Sequence, residues 1–563
     1  MVTDEGTLRG AVSRERLTRD NAIIARGVRL SGSAAEAEAF DYLAAQCAEA
    51  GLAVQRHAID AYVSLPGVAS LVVTTPEARI IPCITHSFSQ ATPPAGLTGA
   101  VVDAGDGTAA DYARVDAGGA IALVDGLAGP PKAFAADRAG VAALICVNPE
   151  GLHEMILSPV WGTPTPETAP FLPHVVAVSV RKEDGETLRR LLASGPVTVR
   201  LQTAVTTGWT AIPALIADLP GAIEDRYVLL SGHVDSWHYG AMDNASANAT
   251  MLEVARLLAA HRGELRRGLR LAFWSGHSHA RYGASAWYAD HAFADLYARC
   301  VCHVNAESTG GIGADDLTGS HMAETWRFAA DVVRDVAGQQ IAYRRMARNS
   351  DQSFTGVGVA SAFSGLSAQS GGGLGAWWHT PDDTLDKIDP ARFVRDTQVY
   401  LTACWRLCTL PVLPLDYAET ANELRDRLTA LAARAGGRFD LTPLMEAVAR
   451  LHDAATRLDA AVAAANTGAT STAVDAARVN AALLAAGRAL IPVNYTEAGP
   501  FGVDLALDAP PLPGLAPVAD LAALDPASDV ARFLATRLVR ERNRVLHALT
   551  QATRALDGAL VKG

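Results

Sequence analysis

The sequence predicts an α/β fold, a mainly parallel sheet flanked by helices, which is followed by a helical domain. Between residues 211 and 410, short apolar runs at 228–230, 269–274 and 301–304 alternate with helical segments such as 245–260. That alternation is typical of parallel sheets whose two faces are covered by helices.

Beyond residue 412 the pattern becomes helical and rich in alanine. Apolar residues recur there at three- and four-residue steps, the period of a helix that packs along one stripe. Members of this stripe are Val448, Leu451, Ala455, Leu458 and Val462. The stripe favours a bundle seam within the chain, and it is also compatible with an oligomer interface.

A chain of 563 residues is longer than one hydrophobic core usually supports, so several domains are expected. We predict that residues 1–95 form the first part of the α/β domain and residues 96–205 a β-rich insert. Residues 206–412 then complete the α/β domain, and residues 413–563 form the helical domain.

The composition excludes some classes of partner. The formal net charge is −12 and no Lys/Arg-rich run reverses it locally, which argues against binding of nucleic acid or of anionic membranes. The amino terminus is polar, unlike a signal peptide, and no uninterrupted apolar stretch is long enough to span a bilayer. The seven cysteines are scattered in apolar surroundings, as reduced thiols are. We therefore expect a cytoplasmic protein.

The strongest chemical signal lies around the first strand of this alternating region. His233 leaves the strand, Asp235 follows two residues later, and Asp243 comes just before a helix. A neutral nitrogen of His233 can bind a metal ion while Asp235 orients the other ring N–H, and Asp243 can bridge two cations. A lone histidine after a strand is usually structural, but two aspartates at this spacing favour metal ligation.

Two further signals come from other loops. His379, in Trp-His-Thr-Pro-Asp-Asp-Thr, can complete a metal position that Asp383 braces, although the same residues suit a turn with a helix cap. Glu307 follows another strand in Asn-Ala-Glu-Ser, where a carboxylate ligand can enter. On its own, a glutamate at a strand end more often faces solvent.

Together these residues resemble the zinc-dependent aminopeptidase and glutamate carboxypeptidase family, including its transferrin-receptor-like branch. That family presents a His-x-Asp strand end, a bridging Asp, a Glu-Glu pair, an Asn-x-Asp strand end and a final His-Thr. The resemblance covers nearly the whole chain. It implies that residues 96–205 are a protease-associated insert domain and that the helical tail is a dimerisation domain.

Carried over by position, the resemblance implies that His233, Asp243 and His379 bind one zinc ion and that Asp243 bridges to a second. Glu307 stands where the family uses Asp on the second zinc. The sequence departs from the family at the Glu-Glu pair, whose first member is a general base and whose second is a zinc ligand. His277 and Ser278 occupy those two places.

Three interpretations of that departure remain open. In the first, His277 is the general base or acid, since the reference pKa of imidazole suits that role. In the second, His277 or His279 is a ligand in a site richer in imidazole, which selects a different metal. In the third, the second metal is lost because Ser278 cannot replace a carboxylate, and the protein is a mononuclear enzyme or an inactive relative.

Candidate substrate contacts surround these motifs. Trp237, Trp377 and Trp378 can wall a pocket, although bulky aromatic residues are about as often core packing. Arg348, or its neighbours Arg344 and Arg345, can clamp a substrate carboxylate, but a solvated basic loop is the more frequent arrangement.

The function expected from these signals is metal-dependent hydrolysis of an amide bond in a small peptide or an N-acyl amino acid. The expected catalytic residues are His277 and Asp235, and the expected cofactor is zinc, as one or two ions, or another divalent transition metal. Two alternatives are a non-hydrolytic metal enzyme, such as a lyase or isomerase, and an inactive receptor-like scaffold. By analogy with the family, the helical tail forms a homodimer.

Overall fold

The computed structural model describes residues 4–467 and 475–560. The outer ends of the first and last predicted regions, residues 1–3 and 561–563, lie outside the described residues, as does the segment 468–474 of the helical region.

The strands of the described residues form one 12-stranded sheet. They are β1 (Ala53–Thr75), β2 (Arg79–Ile81), β3 (Ile84–Thr85), β4 (Leu97–Asp103), β5 (Ile121–Asp125), β6 (Ala143–Asn148), β7 (Val176–Arg181), β8 (Thr198–Leu219), β9 (Tyr227–His233), β10 (Gly268–Trp274), β11 (Cys300–Asn305) and β12 (Ser361–Ser364).

Helices cover the sheet and form the carboxy-terminal part of the described chain. They are α1 (Glu5–Gly10), α2 (Arg14–Ile24), α3 (Ala34–Glu49), α4 (Ala109–Arg114), α5 (Pro130–Ala139), α6 (Lys182–Ser194), α7 (Ala247–Ala260), α8 (Gly283–His291), α9 (Phe293–Arg299), α10 (Trp326–Ala337), α11 (Pro390–Thr409), α12 (Tyr417–Ala435), α13 (Thr442–Thr467), α14 (Ala476–Tyr495), α15 (Val518–Ala523) and α16 (Asp529–Leu560).

The centre of the sheet is parallel, as predicted. β9 lies between β10 and β11 and pairs with both in parallel, and β12 continues the parallel order beyond β11. Alternate residues of these strands enter two different cores. Leu230 and Phe273 pack in the core that contains α7 and α11, whereas Leu229 and Trp274 pack in the core that contains α8. Burial on both faces explains why these strands are continuously apolar.

β1 and β8 form a long antiparallel ribbon that corrects the predicted domain boundary. β8 runs without a break across residues 205–206, and Leu65 pairs with Thr206 at that point. One end of β8 pairs with β10 and its other end pairs with β4, so the same two strands join the α/β sheet to the sheet of the insert. The boundary is therefore inside a strand rather than in a linker. The insert also contains α4, α5 and α6 beside its strands.

The helical region packs as a bundle. α16 lies against α13 and α14, and the predicted stripe from Val448 to Val462 is buried on α13. Helix α14 is long and apolar enough to cross a membrane by length and composition alone, but 61% of its apolar window is buried inside the protein. Its apolar side chains therefore serve the bundle core.

The seven cysteines are free thiols, and all of them except Cys83 are buried. This agrees with the expectation of reduced cysteines.

Candidate metal centre and active site

Three of the predicted site residues follow neighbouring parallel strands. His233 is the last residue of β9, His277 lies in the loop after β10, and Glu307 comes two residues after β11. Since the carboxyl ends of parallel strands meet at one edge of a sheet, these side chains come together there. Asp243 reaches the same place from the segment Ala241–Ser246, directly before α7.

His233 presents one ring nitrogen to two carboxylates. Its Nδ1–H donates to the backbone carbonyl of Asp235 at 2.9 Å, so Nε2 is the ring nitrogen that faces the cluster. Nε2 lies 3.0 Å from Oε1 of Glu307 and 3.0 Å from Oδ1 of Asp243. The His233 side chain is 1% exposed, so water does not screen these groups.

His379 repeats this arrangement on the other oxygen of Asp243. Its Nδ1–H donates to the backbone carbonyl of Glu154 at 2.7 Å, and its Nε2 lies 3.2 Å from Oδ2 of Asp243. The φ angle of His379 is 58°, a left-handed conformation that non-glycine residues keep mainly where their surroundings enforce it. Asp243 therefore bridges two histidines, one on each carboxylate oxygen.

The donor set fits a divalent metal ion. A ring nitrogen that faces carboxylate oxygens needs positive charge between them, and either a proton on that nitrogen or a bound metal ion supplies it. Oδ1 of Asp243 is buried and has no hydrogen-bond partner among the described residues, as expected of an oxygen that binds an ion. His233, Asp243 and Glu307 supply one nitrogen and two oxygens, which suits a zinc site with an open fourth position. A second position would have only Asp243 and His379, because Ser278 offers no carboxylate.

The electrostatics of the cluster also favour a cation. Burial lowers the pKa of His233, but the charges and hydrogen bonds of Glu307, Asp235 and Asp243 outweigh burial and hold that pKa well above its usual range. Burial raises the pKa of Asp243, and contacts with His233 and His379 outweigh it and hold that pKa well below its usual range. Positive charge beside Asp243 is thus strongly stabilised, and a bound metal supplies it in place of protons.

His277 lies beside this cluster with its ring stacked on that of His233. The ring centroids are 3.8 Å apart and the planes differ by 12°. One ligand atom each from His233, His277 and Glu307 lie within 4.8 Å of one another. A nitrogen lone pair lies in the plane of its imidazole, however, and two stacked, nearly parallel planes do not meet at one ion. His277 is therefore not oriented to share an ion with His233.

Asp351 holds the ring of His277. Nδ1–H of His277 donates to Oδ2 of Asp351 at 2.7 Å, and Asp351 is fully buried. Oδ1 of Asp351 accepts a hydrogen bond from the hydroxyl of Ser285 at 2.6 Å. With its proton on Nδ1, His277 keeps an unprotonated Nε2, as a proton acceptor requires.

Asp235 anchors the loop that carries His277. Its carboxylate accepts hydrogen bonds from the backbone N–H of His277 at 3.2 Å and of Ser278 at 2.8 Å. It also accepts one from the hydroxyl of Ser31 at 2.9 Å. Because this carboxylate is fully buried, Asp235 positions the site and does not touch a substrate.

A pocket of 330 Å³ opens over the cluster. Trp237 and Trp378 line it as predicted, and both contact His379, with ring centroids 5.4 and 3.5 Å from that imidazole. Met155 and Ile156 of the insert also line the pocket. A pocket with largely apolar walls and a few polar groups is typical of small-molecule binding.

Residues 214–403, which contain all the metal-site side chains described above, match the sequence profile of Peptidase family M28. This segment resembles an M28 peptidase domain. The predicted resemblance to the family of zinc-dependent aminopeptidases and glutamate carboxypeptidases is therefore confirmed, together with the predicted enzyme class, a metallohydrolase of the peptidase type.

The matches to related proteins cover different shares of this chain and of each relative. A probable glutamate carboxypeptidase of Zea mays, VP8, is 24% identical over 74% of this chain and 70% of its own length. A second plant relative, probable glutamate carboxypeptidase AMP1 of Arabidopsis thaliana, is 24% identical, and the match spans 34% of that protein. The structure of a zinc aminopeptidase from Bacillus subtilis matches with a TM-score of 0.55 and 22% identity, over 70% of this chain and 95% of that one. This likeness confirms the predicted fold.

The M28 domain groups the predicted ligands differently from the expectation. The sequence placed His233, Asp243 and His379 on one ion and Glu307 on another. In the structure Glu307 shares the Nε2 of His233 with Asp243, whereas His379 faces the opposite oxygen of Asp243. The reason is geometric. The two oxygens of Asp243 point to different sides, so that Oδ1 faces His233 and Oδ2 faces His379.

Two expected site residues have other roles. Asp383 was expected to brace His379, but its carboxylate accepts hydrogen bonds from the backbone N–H of Met242 at 2.9 Å and of Asp243 at 3.0 Å. His279, the possible additional ligand, is fully buried with Nδ1 3.0 Å from Oγ of Ser31, and its ring packs on Trp237 outside the metal cluster.

The expected carboxylate clamp is also wrong. Arg348 pairs with Asp504 and donates to the backbone carbonyl of Tyr495, so it ties the M28 domain to the helical region. Arg345 is 2.6 Å from Glu423. Arg344, 3.8 Å from Asp316, does not line the pocket either. Trp377 likewise lies outside the pocket lining, with its Nε1–H directed at Sδ of Met242.

Sequence reasoning missed several residues of the site. Asp351 contacts His277, which lies 74 positions away, and a local motif does not reveal a contact between such distant positions. Ser350 donates to Oε2 of Glu307. Arg29, a fully buried cation, donates to the backbone carbonyls of Val234 and Gly240 and holds the loop between them. No local pattern marks Arg29.

Proposed function

We propose that the protein is a metal-dependent hydrolase that cleaves an amide bond of a small peptide or an N-acyl amino acid, with zinc as its cofactor and His277 as its general base. The observation that carries this proposal is that two groups of residues lie side by side below the pocket: Asp243 with its two histidines, and His277 with Asp351. Asp243 faces a ring nitrogen on each of two histidines, and His277 beside them has its Nδ1–H fixed by buried Asp351.

His233, Asp243 and Glu307 would hold the ion, and His379 would lie against the second oxygen of Asp243. A bound zinc ion polarises a carbonyl and makes water more acidic at neutral pH. Ser350 orients Glu307 through its hydroxyl, and the carbonyls of Asp235 and Glu154 orient the two histidines. These outer contacts fix the ring tautomers that metal binding requires.

His277 would move the proton. Its Nε2 accepts a proton from the attacking water and then gives it to the nitrogen of the departing amine. Asp351 stabilises the imidazolium that exists between these two steps and keeps the ring in one orientation, as a buried carboxylate does for a histidine base. The stacked ring of His233 limits rotation of His277 away from this position.

The test measures metal content and turnover on the same preparations. Zinc per chain is determined by elemental mass spectrometry for the parent, His277→Ala and His233→Ala, with exposed His174→Ala as the matched control. Turnover is screened over dipeptides and N-acyl amino acids. We expect His277→Ala to keep its metal and lose turnover, His233→Ala to lose both, and His174→Ala to match the parent.

The other outcomes separate the alternatives. Loss of metal in His277→Ala would make His277 a ligand and contradict its role as a base. Metal binding without amide hydrolysis by the parent would favour a non-hydrolytic metal enzyme. Absence of metal after loading with zinc, manganese or cobalt would favour an inactive scaffold.

The expected homodimer and the cytoplasmic location remain proposals. In support of self-association, α16 exposes the apolar side chains of Val530 and Phe533, which are 61% and 71% exposed. Apolar groups at that level of exposure gain from contact with a second surface.

A further inference from the structure

A second cavity lies between the α/β domain and the loop that follows α14. Trp161 of the insert, Phe293 of α9 and Phe501 of that loop are among its walls. The described residues that line this cavity are all different from those that line the pocket over the metal cluster. Its volume of 60 Å³ has room for roughly four to six water molecules, which is the space that a small organic group occupies.

One face of α8 leaves this space open. Ala286, Ala289 and Asp290 line the cavity, and Phe293 continues the same face into α9. These four residues follow one another at the three- and four-residue steps that bring side chains together on a helix. Because the two alanine side chains end at Cβ, they leave room in front of the loop that carries Phe501.

Asp290 brings a carboxylate without a partner to the rim of the cavity. Within residues 4–467 and 475–560, its side chain forms no hydrogen bond or ion pair. The other two charged residues of the described lining, Arg348 and Asp504, pair with each other. Asp290 also precedes the last residue of α8, where the free backbone carbonyls add partial negative charge. The cavity is therefore negative at its rim.

The walls suit an organic cation rather than an anion or a metal ion. The ring centroids of Phe293 and Phe501 are 5.1 Å apart, and Phe501 is 87% exposed, so a ligand can reach both rings from solvent. A cation is attracted to the face of an aromatic ring. Among the described lining residues an anion has no free cation to bind, because Arg348 pairs with Asp504. Calcium and magnesium ions take about six oxygen ligands, which one free carboxylate among apolar walls does not supply.

We infer that this cavity is a second binding site and that it takes a small alkylammonium ion of about four to six non-hydrogen atoms. The ammonium group pairs with the carboxylate of Asp290. The alkyl chain lies between the alanines of α8 and the rings of Phe293 and Phe501, where its apolar surface is removed from water. Binding at this site needs neither the metal nor the proposed hydrolysis, since the cavity shares none of its described lining with the metal pocket.

The test titrates butylammonium and uncharged 1-butanol into the full chain at neutral pH, with and without zinc, and follows binding by ligand-observed NMR. The proteins are the parent, Asp290→Asn, the cavity-filling Ala289→Leu and the control Asp426→Asn, whose side chain is 77% exposed outside the cavity. We expect a dissociation constant on the order of 1 mM for butylammonium and one roughly 10-fold higher for butanol. Asp290→Asn should bring that ratio near one, Ala289→Leu should weaken both probes, and Asp426→Asn should match the parent.

Zinc separates this cavity from the metal pocket. The affinity for butylammonium should be the same with and without zinc, whereas binding that requires zinc would place the amine on the metal and overturn the inference. Equal affinity of the parent for the two probes, or binding of neither, would overturn it as well. A parent-like ratio in Asp290→Asn would do the same, and that variant keeps the test decisive if Ala289→Leu fails to fold.

Discussion

Nδ1 of His277 lies 2.7 Å from Oδ2 of Asp351, and His277 is the residue at which the family resemblance implied a glutamate base. A glutamate accepts a proton directly, whereas an imidazole needs a fixed tautomer to do so. The buried carboxylate supplies that tautomer. In the proposed mechanism, His277 and Asp351 together would accept the proton that a glutamate base accepts alone.

Replacement of Asp351 by Asn should lower kcat by about 100- to 10,000-fold without loss of metal, because the amide no longer stabilises a charged His277 and can select the wrong tautomer. The measurement is turnover at saturating substrate together with zinc content. Ser285→Ala is the matched control, since it removes the other hydrogen bond of Asp351 and leaves His277 bound. Parent-like turnover in Asp351→Asn would refute the base role.

Zinc should stabilise the parent against heat, and the two histidines should differ in that effect. An excess of metal about 100-fold over its dissociation constant contributes about 2.7 kcal/mol to the folded state. His233→Ala should abolish the zinc-dependent rise in Tm because His233 faces both Asp243 and Glu307. His379→Ala should keep part of the rise, since His233, Asp243 and Glu307 remain. Equal losses would contradict this grouping of the ligands.

Glu324 should make stability depend on pH. Burial raises its pKa to about 7, and Oε1 has no hydrogen-bond partner among the described residues. A carboxyl whose folded pKa is raised is stable when protonated, so its contribution is fully present below about pH 4.3 and is lost as the pH rises through 7. Glu324→Gln should therefore be more stable than the parent by roughly 2–4 kcal/mol at pH 8 and similar to it near pH 4.5.

That comparison requires denaturant unfolding of both proteins across the same pH range. Glu324 is 1% exposed and accepts a hydrogen bond from Thr420 of α12, so the effect belongs to the contact between the M28 domain and the bundle. A stability difference that does not change with pH would contradict the raised pKa.

Replacement of Phe533 should weaken self-association if α16 forms the dimer contact. Phe533→Glu places a charge where the side chain is 71% exposed, so it should leave the fold intact and shift the parent from dimer to monomer. Sedimentation velocity measures the shift. A parent that sediments as a monomer would contradict the homodimer itself.

The candidate ligands His233, Asp243, Glu307 and His379 could be proposed from the sequence because each lies in a short motif at a strand end or in a marked loop, and the structure brings them together. Their grouping was not, since it depends on which oxygen of Asp243 each histidine faces. The role of Asp351 could not be predicted from the sequence for a similar reason, because its contact with His277 joins positions that are distant in the chain.

The fold was predictable where apolar runs are continuous, as in β9, β10 and β11. The ribbon of β1 and β8 was not recognised at its full length, because much of it is exposed and its sequence mixes polar with apolar residues. Because β8 was not recognised as one strand across residues 205 and 206, the insert was predicted to end at residue 205, inside β8.

The contact between His379 and the insert means that the catalytic unit is larger than the M28 segment. Glu154 accepts the Nδ1–H of His379 with its carbonyl and donates its own N–H to the carbonyl of His379 at 3.0 Å. His153 beside it bonds the carbonyl of Trp378. A protein trimmed to residues 206–412 would lose these anchors and half of the ribbon. The insert and the metal centre thus form one structural unit, and exchange of either for a relative's counterpart would break the hydrogen bonds that join them.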